Sequence, residues 1–286
     1  MGSLLIDKLA SHKSKTILSQ TTTYIILVLM AVVMLTPFLW TLSTSLKTFE
    51  DTYKNASSLI PSSLNFSNYA VIFKKMPFAT YFLNTFKVSF LVCFGTLITS
   101  AMAAYAFSRL KFPGRDALFF LYLSTLMIPR QVVLVPNFLL FKAFGLLDNH
   151  FSLVFTGIFT AYGTFLLRQF FFGIPKELEE AAVVDGYGYF SRFTKIILPL
   201  AKPALTTLFI ITLLNIWNEY LYALVFINSD CKRTLTLGLA LMRGDLDVQW
   251  NLVMAATIIS ISPIIIIYLN AQKFFIEGIA LSGVKG

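Results

Sequence analysis

The sequence predicts an all-α, polytopic membrane protein with six transmembrane helices. Apolar residues make up 57% of the 286 positions and charged residues only 13%, far from the balance of a water-soluble domain. Several apolar runs are long enough, at about 1.5 Å per residue, to cross about 30 Å of hydrocarbon. Lys and Arg gather in the segments between those runs.

The elements follow in order. Residues 1–23 are polar, with Lys8, Lys13 and Lys15, and lead into an apolar run from about Tyr24 to Leu46. That run is too long for a signal-peptide core and no A-x-A-type cleavage site follows, so it reads as a retained first span. Residues 47–80 hold Asn65, Ser67, Asn68, Pro61 and Pro77 and read as an ordered loop or surface helix outside the membrane. The second span, about Tyr81 to Phe107, is dense in small residues from Thr99 to Ala104, which let helices approach closely in lipid. The third, about Ala117 to Phe141, is interrupted by Pro129 and Pro136 and should be kinked or locally unwound. A turn at Gly145 and Asp148 to His150 precedes the fourth, about Phe151 to Phe172. The fifth, about Ala204 to Ile227, carries Asn215, Trp217, Asn218 and Glu219, and the sixth, about Leu252 to Phe274, carries Pro263.

With the amino terminus inside, thirteen Lys and Arg fall in inside segments and eight in outside ones, and the short loop 108–116 alone holds three. The positive-inside bias therefore places both termini, and the segment 175–203, in the cytoplasm. The net charge of +9 is spread along the chain without a basic block, which argues against nucleic acid as a partner and for membrane edges. Cys93 and Cys231 form no CxxC, and His12 and His150 are far apart, so no metal site is expected. No GxxxxGK[ST], GxSxG or HExxH pattern occurs, so the chain should supply no ATPase site and no catalytic residues of its own.

Residues 175–203, PKELEEAAVVDGYGYFSRFTKIILPLAKP, form a polar island between apolar runs. Pro175 suits a first helical position, and Glu177, Glu179 and Glu180 then fall in the opening turns, where carboxylates favour the dipole. Gly186 suits a left-handed cap after Asp185, giving a helix of about ten residues that cannot stand alone in water. From Tyr189, a stripe of Tyr189, Phe190, Phe193, Ile196 and Ile197 should face the membrane or neighbouring helices, with Arg192 and Lys195 on the other side.

Glu180, Ala181, Ala182, then Gly186, then Ile196, Leu198 and Pro199 resemble, at matching spacing, the EAA loop of membrane subunits of binding-protein-dependent ABC importers. The segments 127–149, 217–224 and the tail FIEGIALSGVKG are similar to the maltose-type carbohydrate permease subfamily. The resemblance implies a multi-pass subunit of the bacterial plasma membrane with a five-helix core. Residues 1–80 would hold the cytoplasmic amino terminus, first span and external loop; 81–275 the transmembrane core; and 276–286 a cytoplasmic tail. It implies a second, homologous permease, two P-loop ATPase domains that hold ATP and Mg, and an extracellular or periplasmic solute-binding protein. No cofactor is expected on this chain. The ATPase would dock on Glu180, Ala181, Ala182, Asp185 and Gly186, while Tyr187, Tyr189 and Phe190 could face either the partner or the spans. Gly186→Asp or Glu180→Lys should then abolish uptake while leaving the spans inserted.

Within the membrane, Arg130 and Glu219 are the costly charges, each about 2.5–3.5 kcal/mol at the bilayer centre. They should face a cavity or each other. Arg130, Gln131, Asn215 and Asn218 are candidates for the substrate path, and a polar structural contact is favoured for Glu219. The expected cargo is a carbohydrate, an oligosaccharide by the resemblance; glycerol phosphate or another polar solute is the alternative, with Arg130 as its anion contact. An ion-coupled secondary transporter would need paired intramembrane carboxylates, and Glu219 is essentially alone.

Overall fold

The computed structural model describes residues 2–244 and 248–283, with side chains over 20–244 and 248–270. Among these residues the chain is helical without a strand. It divides into two compact units, one from Met1–Ile72 with Asp247–Ile258, the other from Phe73–Leu246 with Ile259–Gly286.

In the first unit, α1 (Gly2–Ser45) exposes nearly every apolar side chain from Tyr24 to Leu39, as a helix facing lipid does. At its end the chain turns on polar side chains. Asn68, in α3 (Ser67–Lys75), donates through Nδ2 to the carbonyls of Ser45 and Lys47, each at 2.8 Å. Lys47 is buried and donates through Nζ to the carbonyls of Asn55 (2.9 Å) and Ser58 (2.7 Å), so it brings no free charge to the surface. Asp51, in α2 (Phe49–Lys54), accepts from the Ser62 hydroxyl, Asn55 Nδ2 and the Ser62 N–H, which hold its carboxyl at about 2, well below the usual range.

In the second unit the long helix α4 (Phe78–Arg109) is the element against which the others pack. Then come α5 (Arg115–Ser124), α6 (Leu134–Ala143), α7 (His150–Gly157), α8 (Ala161–Phe172) and α9 (Glu177–Val184). The small residues expected to permit close approach do so: a Cβ placed on Gly163 of α8 would lie 2.6 Å from Ser100 Oγ of α4. Ala101, Ala104, Leu167, Phe171, Ile197 and Leu208 form the core at this end. The turn into α7 is fixed by Asp148, whose carboxylate accepts from the backbone N–H groups of Asn228 and Ser229 and from Lys232 Nζ. The Ser229 hydroxyl contributes most to holding that carboxyl far below its ordinary value.

After α9, the chain runs through α10 (Tyr189–Arg192), a π-helical turn Phe193–Ile197 in which the Leu198 N–H bonds to the Phe193 carbonyl, and α11 (Leu198–Leu200). It then bends by 77° into α12 (Lys202–Trp217), followed by α13 (Leu221–Phe226), α14 (Leu235–Leu241) and α15 (Trp250–Gly283). Only part of the expected stripe is buried: Phe193 and Ile197 are inside, whereas Tyr189 and Phe190 are exposed.

By length and composition, four helical stretches among the described residues can cross a membrane, or five with the bent pair taken as one span. The expected third span is two short helices, α5 and α6, separated at 128–133, where Pro129 cannot continue the ladder. Pro136 leaves α6 intact because it lies in the first turn, where its missing N–H would have had no partner. The expected fifth span stops at Trp217 and resumes as α13.

Candidate functional site

The opening of the polar island builds one short helix, α9, with a defined stop. The N–H groups of Glu179 and Glu180 both reach the Lys176 carbonyl, so α9 opens after Lys176, and Pro175 stands just outside it instead of at the first helical position. At the other end the Gly186 N–H donates to Val183 O (3.0 Å) and the Tyr187 N–H to Ala182 O (2.9 Å), with Gly186 at φ 80°. This pair of bonds is a Schellman stop, which satisfies carbonyls that the helix end would leave open.

Glu180, Ala181, Asp185 and Gly186 lie on the outer surface, whereas Ala182, at 4% exposure, faces the protein. Val183 and Val184 are also outward, Val184 at 88%, and Leu178, Tyr189 and Phe190 are exposed as well. Large apolar side chains left exposed on a short helix and the turn after it make this segment a candidate contact surface. Tyr187 and Tyr189 each lie under a cation, Lys195 Nζ at 5.1 Å and the Arg192 guanidinium at 4.5 Å.

What holds α9 in place is a set of side chains that the sequence reading passed over. Glu179 turns inward, and its Oε1 lies 3.0 Å from Arg109 Nε, with side-chain exposures of 8% and 5%. The Nε–H is not aimed at that oxygen, so attraction between charges rather than an aligned hydrogen bond joins them. Arg109 Nη2 donates to the carbonyls of Phe171, in the last turn of α8, and, at 2.6 Å, Ile174, just past its end. The Tyr105 hydroxyl lies 3.3 Å from both Glu179 Oε2 and the Tyr189 carbonyl.

The two charges expected within the membrane meet. Arg130 Nη1 lies 3.6 Å from Glu219 Oε2; the arginine is 55% exposed and the glutamate 15%. The guanidinium lies 5.0 Å from the centre of the Tyr222 ring, and the Tyr222 hydroxyl donates back to the Arg130 carbonyl at 2.8 Å. Glu219 Oε1 accepts the Tyr222 N–H at 3.0 Å, which caps the start of α13. One carboxylate thus balances a charge and restarts a helix. Gln131 is exposed on the broken segment; Asn215 and Asn218 are exposed but direct their amides to carbonyls of their own helix, Ile211 at 2.9 Å and Leu214 at 2.8 Å.

Residues 95–280 match the family described as binding-protein-dependent transport system inner membrane component. The chain belongs to that family. This membrane component is 33% identical over 253 residues to the arabinooligosaccharides transport system permease protein AraQ of Halalkalibacterium halodurans, covering 87% of this chain and 91% of the relative. It is 36% identical over 205 residues to the sn-glycerol-3-phosphate transport system permease protein UgpE of Yersinia pestis, covering 71% and 73%. Its fold superposes with a TM-score of 0.80, at 28% identity and over 89% and 95% of the two chains, on a chain of a bacterial ABC transporter involved in import of the acidic polysaccharide alginate. The membrane component is thus an ABC importer permease, a transport subunit, as the EAA-type spacing implied.

Proposed function

We propose that this permease carries a neutral oligosaccharide across the bacterial plasma membrane, driven by ATP hydrolysed on separate subunits that dock on α9. The observation that carries the docking is the outward face of α9: Glu180, Ala181, Val183 and Val184 exposed on a short, firmly stopped helix. The small Ala181 lets the helix seat deeply in a groove, and Glu180 offers a charged rim contact. With no phosphate-binding loop in the chain, ATP and Mg belong to two P-loop ATPase domains. The remaining partners are a second, homologous permease and an extracytoplasmic solute-binding protein. Both termini and α9 face the cytoplasm, in keeping with the distribution of Lys and Arg.

In this reading ATP binding draws the coupling helices together, the cores rock open toward the binding protein, and hydrolysis resets them. Arg130, Gln131, Asn215 and Asn218 line the path. The Arg130–Glu219 pairing supports a neutral cargo, because the guanidinium's charge is already balanced. An anionic cargo such as glycerol phosphate is the second reading, favoured by the likeness to the alginate and glycerol-phosphate systems. It requires Arg130 to leave Glu219.

The test purifies the tagged protein in mild detergent and asks whether a P-loop ATPase, a second permease and a solute-binding protein accompany it. Glu180→Lys should lose the ATPase and uptake while the protein stays in the membrane. Uptake in ATP-free vesicles under an ion gradient, with no ATPase recovered, would overturn the reading.

A further inference from the structure

The exit of α8 and the starts of α9 and α10 converge on two side chains one turn apart on α4. Arg109 reaches the exit of α8 through the Phe171 and Ile174 carbonyls and the carboxylate of Glu179 on α9. Tyr105 reaches the same carboxylate and the first residue of α10, while its ring lies 5.0 Å from that of Phe193 in the π turn. The network is therefore continuous from the candidate docking helix to the two most closely packed helices of the core.

Burying an ion pair is a poor way to fasten two elements, since apolar residues of similar volume commonly hold as well or better. What a charged, hydrogen-bonded set provides in return is direction: it satisfies its partners in one arrangement only. The unaimed Nε–H leaves Arg109 held mainly by two carbonyls at the exit of α8, those of Phe171 and Ile174, and by charge to α9. Removing the carboxylate thus unties α9 while leaving the α4–α8 link in place.

We propose that Glu179 and Arg109, with Tyr105, are positioning residues that make α9 move as one body with the cytoplasmic ends of α4 and α8. They would convert docking-site displacement into rotation of the core. The inference rests on the docking reading above, and deepens it by separating the residue that binds, Glu180, from the residue that transmits, Glu179.

The experiment uses the complete transporter, purified with its native partners and reconstituted in proteoliposomes. Spin labels are placed at the exposed positions Val184 on α9 and Met102 on α4 after Cys93 and Cys231 have been replaced. In the parent protein the label distance should be narrow, and unchanged by ATP, Mg and vanadate. In Glu179→Gln it should broaden with or without nucleotide. The ATPase should still co-purify with Glu179→Gln, but its stimulation by the binding protein should be lost, and Glu179→Asp should recover part of it. Tyr105→Phe, a gentler change that keeps the buried charges paired, should give the same effects at smaller size. A Glu179→Gln protein with an unchanged distance distribution, or with full stimulation, would overturn the proposal, as would a parent distance that shifts with ATP. Co-purification judges the docking reading separately: if Glu180→Lys keeps the ATPase, that reading fails whatever the labels report.

Discussion

Replacing Gly186 isolates the stop of α9 from everything else about it. The residue lies at φ +80° and a Cβ built there meets nothing within 4 Å, so a substitution incurs the backbone term alone. Left-handed backbone costs an L-residue about 1–2 kcal/mol, which shifts the turn from closed to open by about 5–30-fold. Asn visits this region readily and should lose less; a β-branched residue should lose more. At equal amounts of inserted protein, initial uptake should fall in the order Gly, Asn, Ala, Val, with Gly186→Ala reduced up to about tenfold. Asp shares the backbone tolerance of Asn, so the geometry alone predicts only a mild loss for Gly186→Asp. Any excess over Asn must come from a new negative charge beside Asp185. The assay is initial-rate uptake in whole cells, normalised by immunoblot of the membrane fraction. An Asn variant poorer than Ala, or a Val variant equal to the parent, would refute the argument that backbone conformation sets the stop.

Further outcomes follow from the packing and the charges. A Cβ at Gly238 would meet the Tyr81 ring at 2.3 Å, and Tyr81 is held by a hydrogen bond to Asp230, so Gly238→Ala should cost about 1–3 kcal/mol, read as a lowered Tm in detergent. Arg130→Gln should leave uptake of a neutral oligosaccharide within a fewfold of the parent, whereas an anionic cargo should lose far more; competition between arabinotriose and glycerol phosphate separates the two. Asp51 is held at about 2 chiefly by the Ser62 hydroxyl, so its stabilising effect is complete above the ordinary carboxylate value and lost as pH falls through about 2. Hydrogen-exchange protection over residues 48–62, taken relative to the intrinsic amide rate at each pH, should therefore fall between about pH 4 and pH 2 in the parent, and Asp51→Asn should abolish that acid response.

Much of the local architecture is legible in residue order because it depends on neighbours in the chain. Gly186 after Asp185 announces the helix stop, Pro129 the break in the third apolar run, and the small residues near Ser100 a close helix crossing. Pairings between distant residues are not legible this way. Arg109 reads as one more basic loop residue, and Glu179 as one of three carboxylates suited to a helix start; nothing in either neighbourhood says that they meet. Lys47 counts as an outside charge in the sequence, yet its ammonium is spent on two backbone carbonyls. The Arg130–Glu219 contact was one of two options that the cost of intramembrane charge left open, and Tyr222, which completes it, carried no sequence signal.

The π turn at Phe193–Ile197 has a consequence for how the two halves of this segment can vary. One residue added to a turn advances every later side chain by about 100° around the axis. The segment before the turn and the segment after it therefore keep two different phases, one suited to α10 and one to the packed core. Removing a single residue from 193–197 would leave an unbroken α-helix, perfectly good by local standards, with Ile197 rotated off the core and the bend into α12 aimed elsewhere. The spare residue acts as a shim, and lengths on either side of it are free to drift only in whole turns.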